Sequence, residues 1–140
     1  MSEAKILIAD DGKVMRVVLA ASLKKNGYEV VEAENGQEAV DRLREHGDFD
    51  LVVLDIQMPE LDGISALKEI RKSHSRVELP VIMATANDQE EDVVQAFELG
   101  ANDFISKPIN FPILKVRVET HIQLKRASEE LARKGGNSTG

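Results

Sequence analysis

The strongest constraint on the fold of this chain is a regular alternation of short apolar runs with amphipathic stretches. Four of the runs end in polar residues that carry a charge or a hydroxyl. Runs of this length, rich in Val and Ile, are typical of buried strands in a parallel sheet. The runs and the polar residues that follow them are 5–9 with Asp10 and Asp11, 49–54 with Asp55, 79–84 with Thr85, and 103–106 with Lys107 and Pro108.

Residues 28–33 form a further short strand, and the remaining segments show helical periodicity. Asn35 and Asn87 each precede a Glu by three positions, which indicates helix N-caps at both. One apolar face of the first predicted helix consists of Val14, Val17, Val18 and Ala21. The other helices are predicted at 35–47, around Ile64, Leu67 and Ile70, at 87–100, and from about 110 past 130, with Leu114, Val118 and Ile122 facing the sheet.

Strict alternation of strand and helix predicts a single α/β domain of (βα)5 type. Right-handed crossovers place helices on both faces of a parallel sheet, which gives a three-layer sandwich. Five strands favour the flavodoxin-like order 2-1-3-4-5, in which strands 1, 3, 4 and 5 lie side by side. Ligands of such sheets bind beyond the carboxyl ends of the strands. This strand order therefore brings the polar residues that follow the four runs to one edge of the sheet.

Composition excludes several classes of function. The 140 residues suffice for one domain with a sizeable core. A net charge of −7, from 18 basic and 25 acidic residues, argues against direct nucleic-acid binding. There is no cysteine, and so no disulfide framework or thiolate metal site. Without a secretory pattern or an apolar run of about 18 residues, we expect a cytoplasmic protein with no membrane contact.

The carboxylates of Asp10, Asp11 and Asp55 should meet at this edge of the sheet. Two carboxylates about 4 Å apart repel by roughly 4 kcal/mol at an effective dielectric constant of 20, so three together require a cation. Asp10 or Asp11 could instead only cap the first helix, but capping does not account for Asp55. Oxygen ligands favour Mg²⁺ or Mn²⁺, and Mg²⁺ held by few carboxylates implies a phosphoryl substrate.

The same residues suit phosphoryl transfer, because a carboxylate beside such an ion can form an aspartyl phosphate. Lys107 would neutralise charge on the phosphoryl oxygens, and Thr85 could hydrogen-bond to one of them. Taken alone, Lys107 could be a solvated loop lysine and Thr85 an ordinary strand-end residue. Because Lys107 and Thr85 occur together with the acidic residues at four strand ends, a phosphoryl-transfer site is favoured.

Other phosphate sites are excluded by their motifs. The chain contains neither G-x-x-x-x-G-K-[ST] nor G-x-G-x-x-G. Residues 10–13 read Asp-Asp-Gly-Lys rather than the Ser/Thr/Gly-rich loop of a flavodoxin, and Gln57 stands where a haloacid-dehalogenase-type phosphatase needs a second Asp. The histidines His46, His74 and His121 fall on helices or helix ends and are interpreted as surface or helix-end residues rather than ligands.

Residues 4–125 resemble the receiver domain of two-component response regulators. The resemblance implies that Asp55 accepts a phosphoryl group from a histidine kinase or phosphotransfer protein. The protein would then promote only its own phosphorylation and dephosphorylation and would not be an enzyme. It further implies that Asp11, Asp55 and the carbonyl of Gln57 coordinate Mg²⁺, with Asp10 acting through water. The matching residues are Asp10-Asp11, Asp55, Met58-Pro59, Asp62-Gly63, Thr85 and Lys107-Pro108.

The resemblance also implies a switch. Thr85 would move toward the phosphoryl group and Phe104 would turn inward, although the spacing alone also fits Phe104 as a half-buried strand residue. The face formed by the fourth helix, fifth strand and fifth helix would change shape. A cis peptide bond is implied before Pro108. Gln57 and Asn87 occupy variable positions beside the phosphoryl group and should influence its lifetime.

After Ile122 the last helix continues with Leu124, Ala127 and Leu131 spaced by three and four. This spacing indicates either a coiled-coil seam of little more than one heptad or a solvated extension. Residues 135–140 are predicted to be a flexible linker. We therefore divide the chain into a receiver domain, 1–125, and an extended last helix with a flexible tail, 126–140.

Two questions of function stay open at the level of sequence. The chain could be a single-domain regulator, or a receiver whose output domain follows Gly140; its extended last helix resembles the second arrangement. The leading function is a phosphorylation-controlled switch that could form a homodimer on activation. The alternative is a pseudo-receiver that never carries phosphate and acts as an interaction module. The complete acidic, Thr and Lys set favours the first.

Overall fold

A computed structural model of the chain describes residues 3–86 and 90–138, and strands alternate with helices along its whole described length. The strands are β1 (Lys5–Ala9), β2 (Glu29–Ala33), β3 (Leu51–Asp55), β4 (Val81–Thr85) and β5 (Asp103–Ser106). The helices are α1 (Lys13–Lys25), α2 (Gly36–Glu45), α3 (Gly63–Ser73), α4 (Glu90–Leu99) and α5 (Phe111–Ser138).

The strands form one parallel sheet in the order β2-β1-β3-β4-β5, which confirms the predicted topology. Because all strands run in the same direction, their carboxyl ends share one edge. The register places Asp55 opposite Ala84, and Thr85 opposite Ser106. The ends of the three strands β3, β4 and β5 are therefore level with one another at that edge.

Apolar side chains fill both faces of the sheet, as a three-layer sandwich requires. One core lies between the sheet and α2, α3 and α4, and the other lies between the sheet and α1 and α5. Every residue of β3 and β4 is buried, which explains why these strands read as continuous apolar runs. Leu114, Val118 and Ile122 of α5 point into the core, as their spacing predicts.

Side-chain caps fix the starts of two helices near the sheet edge. The Asn35 side chain accepts a hydrogen bond of 2.8 Å from the backbone N–H of Glu38, as predicted. The Asp62 carboxylate likewise accepts one of 2.8 Å from the N–H of Ser65 at the start of α3. The predicted cap at Asn87 lies outside the described residues.

The apolar face of α1 identified in the sequence does not pack against the sheet. The face that contains Val14, Val17, Val18 and Ala21 is exposed to solvent, with Val14 at 78%. The helix buries instead a stripe of Arg16, Leu19, Ala20 and Leu23. The sequence offers two apolar stripes, and the guanidinium of Arg16 selects between them because its hydrogen-bond partners lie beneath the helix.

The last helix is longer than predicted. Its backbone remains helical through Ser138, so the expected linker at 135–140 is wrong at least for 135–138, while residues 139–140 lie outside the described part. Leu124 and Leu131 are exposed, at 60% and 70%. No helix within the described residues has both the length and the apolar character needed to cross a membrane.

Two arginines fasten the end of the sheet that is remote from the polar edge. The guanidinium of Arg71 in α3 donates hydrogen bonds to the carbonyl of Gly100 at 2.9 Å and to the side-chain oxygen of Asn102 at 3.0 Å. Arg76 donates one of 2.9 Å to the carbonyl of Phe97. The carboxyl end of α4 is thus tied to α3 and to the loop that follows α3.

Candidate functional site

Lys107 connects two buried carboxylates at the carboxyl edge of the sheet. Its ammonium lies 2.9 Å from Asp10 Oδ2 and 2.8 Å from Asp55 Oδ2. Asp10 is 3% exposed and Asp55 5%, so these ion pairs are shielded from water. The strand order makes the contact, because β1, β3 and the end of β5 deliver residues far apart in sequence to the same place.

Asp11 completes an acidic cluster at the surface of this site. Each of Asp10, Asp11 and Asp55 offers a carboxylate oxygen, and these oxygens lie within 4.8 Å of one another. Neither Asp10 nor Asp11 is the N-cap of α1. The N-cap residue is Gly12, and no side chain caps the helix. Asp10 instead accepts a hydrogen bond of 2.8 Å from the Gly12 N–H.

The electrostatics follow from burial and from the shared ammonium. Burial raises the pKa of Asp55 above its usual value, and the hydrogen bond from Lys107 only partly opposes this. Burial acts to lower the pKa of Lys107, but its hydrogen bonds to Asp55 and Asp10 outweigh that effect, and the pKa is raised. At neutral pH the lysine is therefore a fixed cation between carboxylates.

One positive charge is too little for three neighbouring carboxylates. Lys107 is bonded to Asp10 and Asp55, whereas the exposed Asp11 makes no such contact with it. Three hard oxygen donors, two of them buried and one open to solvent, are the ligand type that Mg²⁺ and Mn²⁺ prefer. The residues present therefore fit a divalent cation.

Thr85 and Gln57 border the cluster. Thr85 ends β4 with its side chain buried, and its carbonyl accepts a hydrogen bond of 2.8 Å from the Lys107 N–H. The Gln57 N–H donates one of 3.2 Å to Asp55 Oδ1. The peptide bond between Lys107 and Pro108 is cis. Asn87, the other predicted neighbour, lies outside the described residues.

The loop between β3 and α3 closes tightly on the site. The N–H of Gly63 donates a hydrogen bond of 2.8 Å to the carbonyl of Ile56, and a Cβ atom at Gly63 would overlap the carbonyl oxygen of Asp55. Glycine is therefore required there for steric reasons. Beside this loop an open groove of about 800 Å³ extends from Asp11 and Gln57 toward Asp92 of α4.

Phe104 lies outside the cluster, between α4 and α5. Its side chain is half-buried, and its ring packs edge-on against Phe97 with the centroids 6.1 Å apart. Of the three histidines, His46 and His74 follow helix ends, and His121 lies 2.9 Å from Asp103. None of the three is in the acidic cluster.

Arg16 was assigned no role from its sequence position, yet its side chain lies beneath α1 and contacts Asp10 of the site. Its Nη1 donates a hydrogen bond of 2.9 Å to the carbonyl of Asp10, and its Nε lies 3.1 Å from the carboxylate of Glu32. The available signal was its position at helical spacing from Leu19 and Leu23, where an arginine in an apolar stripe needs buried partners.

The flavodoxin-like sheet and the lysine-bridged acidic cluster at its carboxyl edge agree with a receiver-type signalling domain. The chain belongs to the response regulator receiver domain family, whose model matches residues 6–119. The chemotaxis protein CheY of Bacillus subtilis (strain 168) is 50% identical over 105 residues, which are 74% of this chain and 85% of that protein.

Solved structures agree with this assignment. The receiver domain of the Francisella response regulator 1452 superimposes with a TM-score of 0.78 at 33% identity, over 86% of this chain and 98% of that one. A "probable two-component system response regulator/GGDEF domain protein" gives 0.83 at 31% identity, over 88% of this chain. This chain spans 50% of the length of that second protein.

Proposed function

We propose that this chain is a phosphorylation-controlled switch that accepts a phosphoryl group on Asp55 from a histidine kinase or a phosphotransfer protein. The observation that carries the proposal is the bridge from Lys107 to Asp55 and Asp10, with Asp11 beside it. A structural ion pair would need one carboxylate, whereas Lys107 bonds to two, and a third carboxylate has an oxygen within 4.8 Å of theirs. The proposed compartment is the cytoplasm.

In the transfer step an Asp55 carboxylate oxygen attacks the phosphorus of a phosphohistidine. The new O–P bond forms as the P–N bond breaks, and the imidazole nitrogen keeps the electron pair. Lys107 stabilises the negative charge on the phosphoryl oxygens, and the Thr85 hydroxyl donates a hydrogen bond to one of them. Hydrolysis returns the Asp55 carboxylate and free phosphate, so the protein acts only on its own phosphoryl group.

Asp10, Asp11, Asp55 and the carbonyl of Gln57 would hold Mg²⁺, with Mn²⁺ as a substitute. When bound, the ion supplies further neutralisation of the phosphoryl charge. Support comes from the oxygen donors of the three carboxylates, which converge within 4.8 Å. Gln57 and Asn87 are proposed to govern the access of water to the phosphorylated Asp55.

The output face is proposed to be α4, β5 and α5. Thr85 moves toward the phosphoryl group, and the Phe104 ring turns inward into the space that this movement opens. Phe104 has no hydroxyl, so its inward position leaves no polar group unsatisfied. The change is a shift between two populated states, and its extent depends on how differently the phosphoryl group stabilises them.

The exposed valines of α1 are proposed to receive the phosphodonor. Val14, Val17 and Val18 form an apolar patch on α1, which begins two residues after Asp11. Because the donor must bring its histidine to Asp55, its surface must cover the start of α1. An apolar helical face on the donor would bury these valines without desolvating a charge.

The domain division 1–125 and 126–140 stays a proposal, with α5 continuing into the second part. An output domain after Gly140 is supported by the similarity to a GGDEF domain protein of which this chain spans half. The exposed Leu124 and Leu131 would then guide pairing of the extended helices.

Labelling with a small phosphodonor tests the central proposal. Incubation with acetyl phosphate and Mg²⁺ is expected to add one phosphoryl group, mapped to Asp55 by mass spectrometry of the borohydride-reduced protein. Asp55→Asn and excess chelator should each abolish it, and Asp11→Ala should raise the Mg²⁺ concentration required. Labelling of the Asn variant at the wild-type rate contradicts the proposal, and a wild type that takes no label favours the pseudo-receiver.

Activation is also expected to promote self-association, because the seam of Leu124, Ala127 and Leu131 is too short to hold two helices together without help from the globular face. Sedimentation of the protein at tens of micromolar, with and without beryllofluoride, measures the degree of self-association. A chain lacking 124–140 should associate less. A monomer in both states would leave the seam as a solvated helix end.

A further inference from the structure

The ring of Phe104 lies between two helices, where it packs against the buried core on the α4 side of the sheet and contacts an aromatic ring and a cation. Phe97 of α4 packs edge-on against it with an interplanar angle of 89°. On the α5 side the guanidinium carbon of Arg117 lies 5.9 Å from the ring centroid, within the range of a cation–π contact. In this half-buried position, called the outer position below, the ring thus lies against a cation.

Arg117 is itself fixed in place by β5. Its Nη1 donates a hydrogen bond of 2.7 Å to the carbonyl of Phe104, and its Nε lies 3.8 Å from the carboxylate of Asp103. That carboxylate is oriented in turn by the Phe104 N–H, at 2.9 Å, and by His121 Nε2, at 2.9 Å. The guanidinium therefore stays beside β5 independently of where the Phe104 ring points.

We infer that Arg117 is a positioning residue that biases the switch residue Phe104 toward its outer position; this inference rests on the proposed function. Rotation of the ring inward breaks the cation–π contact but leaves the bond to the Phe104 carbonyl intact, because the carbonyl belongs to the backbone. Arg117 thus stabilises the outer state selectively. A contact that favours only one of two states shifts their ratio.

Coupling between sites is reciprocal, so the bias must also appear at the phosphoryl site. If phosphorylation favours the inward ring, then weakening the outer position must strengthen the binding of a phosphoryl mimic. This effect separates a positioning role from a structural one. Loss of a merely structural contact would lower the stability of both states and leave the affinity for the mimic unchanged.

The test is the affinity of the full chain for beryllofluoride in the presence of Mg²⁺. Arg117→Gln removes the cation but keeps a donor for the Phe104 carbonyl, and we expect it to bind the mimic about three-fold more tightly, the size of an exposed cation–π contact. Arg117→Lys keeps the charge and should lie closer to wild type. Lys115→Gln is the matched control, since it removes an exposed cation of the same helix that is paired with Glu119.

A double substitution identifies the ring as the partner. In a Phe104→Leu background the backbone carbonyl remains but the ring is gone, so Arg117→Gln should no longer change the affinity. An equal gain in both backgrounds, or no gain in Arg117→Gln compared with Lys115→Gln, overturns the inference. A wild type that does not bind beryllofluoride at all overturns the proposed function instead, and this inference with it.

A measurement on the wild type covers the case in which Arg117→Gln fails to fold. The Phe104 ring should impose a ring-current shift on the Arg117 side chain in the resting protein, and nuclear magnetic resonance should show this shift diminishing on addition of beryllofluoride. Arg117 signals that stay unchanged while the mimic binds at Asp55 overturn the inference.

Discussion

Replacing Lys107 by Met is expected to slow phosphoryl labelling of Asp55 by about 100-fold, the usual cost of removing one charge-stabilising donor from a transfer site. Lys107 is the cation that contacts both buried carboxylates, at 2.8 and 2.9 Å. Met has a similar length but no donor, so each carboxylate loses its ion pair and keeps only the hydrogen bond from a backbone N–H. The measurement is the initial rate of labelling by acetyl phosphate at fixed Mg²⁺.

The same substitution should raise the pKa of Asp55. Burial already holds that pKa above its usual value, and the ammonium of Lys107 is the main influence that lowers it. The sign follows from linkage: with the folded pKa raised, ionisation of Asp55 reduces stability as the pH rises through that pKa, and more so without Lys107. Carbon NMR titration of the metal-free protein measures the shift.

Lys68→Met is the control for net charge, because Lys68 lines the groove beside Asp11 but does not contact Asp55. It should label at close to the wild-type rate with an unshifted Asp55 titration. Equal slowing in both variants would mean that general electrostatic attraction of the donor, and not the bridge, sets the rate. A Lys107→Met variant that labels normally would remove the basis for the proposed transfer step.

Introducing glutamate into the α1 patch should separate donor recognition from chemistry. Val17→Glu and Val18→Glu are each expected to lower transfer from a phosphorylated histidine kinase at least about 100-fold, because the donor interface would have to bury an unpaired charge. Labelling by acetyl phosphate should stay unchanged, since Asp55 is untouched. Histidine kinases of the same organism, phosphorylated and tested one at a time, provide the donors.

Val77→Glu is the matched control for these variants. Val77 is about as exposed as Val17, but it follows α3 at the opposite edge of the sheet. It should accept phosphoryl groups from the kinase normally. If it loses transfer to the same degree, or if the α1 variants retain it, the donor does not dock on this patch.

The sequence was sufficient to predict the sheet and the edge of the sheet at which the site lies. Strands buried on both faces have to be apolar throughout, so continuous apolar runs in the sequence identify them. The predicted fifth strand coincides with β5. The parallel order then brings Asp10, Asp55 and Lys107 to one edge. Which side chains touch depends on rotamers, and the double contact of Lys107 was for that reason beyond prediction.

The orientation of α1 could not be predicted from the sequence, for a different reason. Val17 and Leu19 belong to two competing apolar stripes, and periodicity alone ranks them nearly equally. The choice is made by Arg16, whose partners, the buried Asp10 and the half-buried Glu32, belong to neighbouring strand ends. Such partners become visible only when the chain is folded.

The two arginine anchors at the remote end of α4 limit how that helix can respond to a phosphoryl group. Arg71 donates a hydrogen bond to the carbonyl of Gly100, and Arg76 donates one to that of Phe97. If phosphorylation displaces α4 as proposed, we expect these bonds to make its carboxyl end a pivot, with the largest displacement in the first two turns. A partner that responds to such a tilt would then have to bind α4 near Asp92, because the displacement close to the pivot would be small.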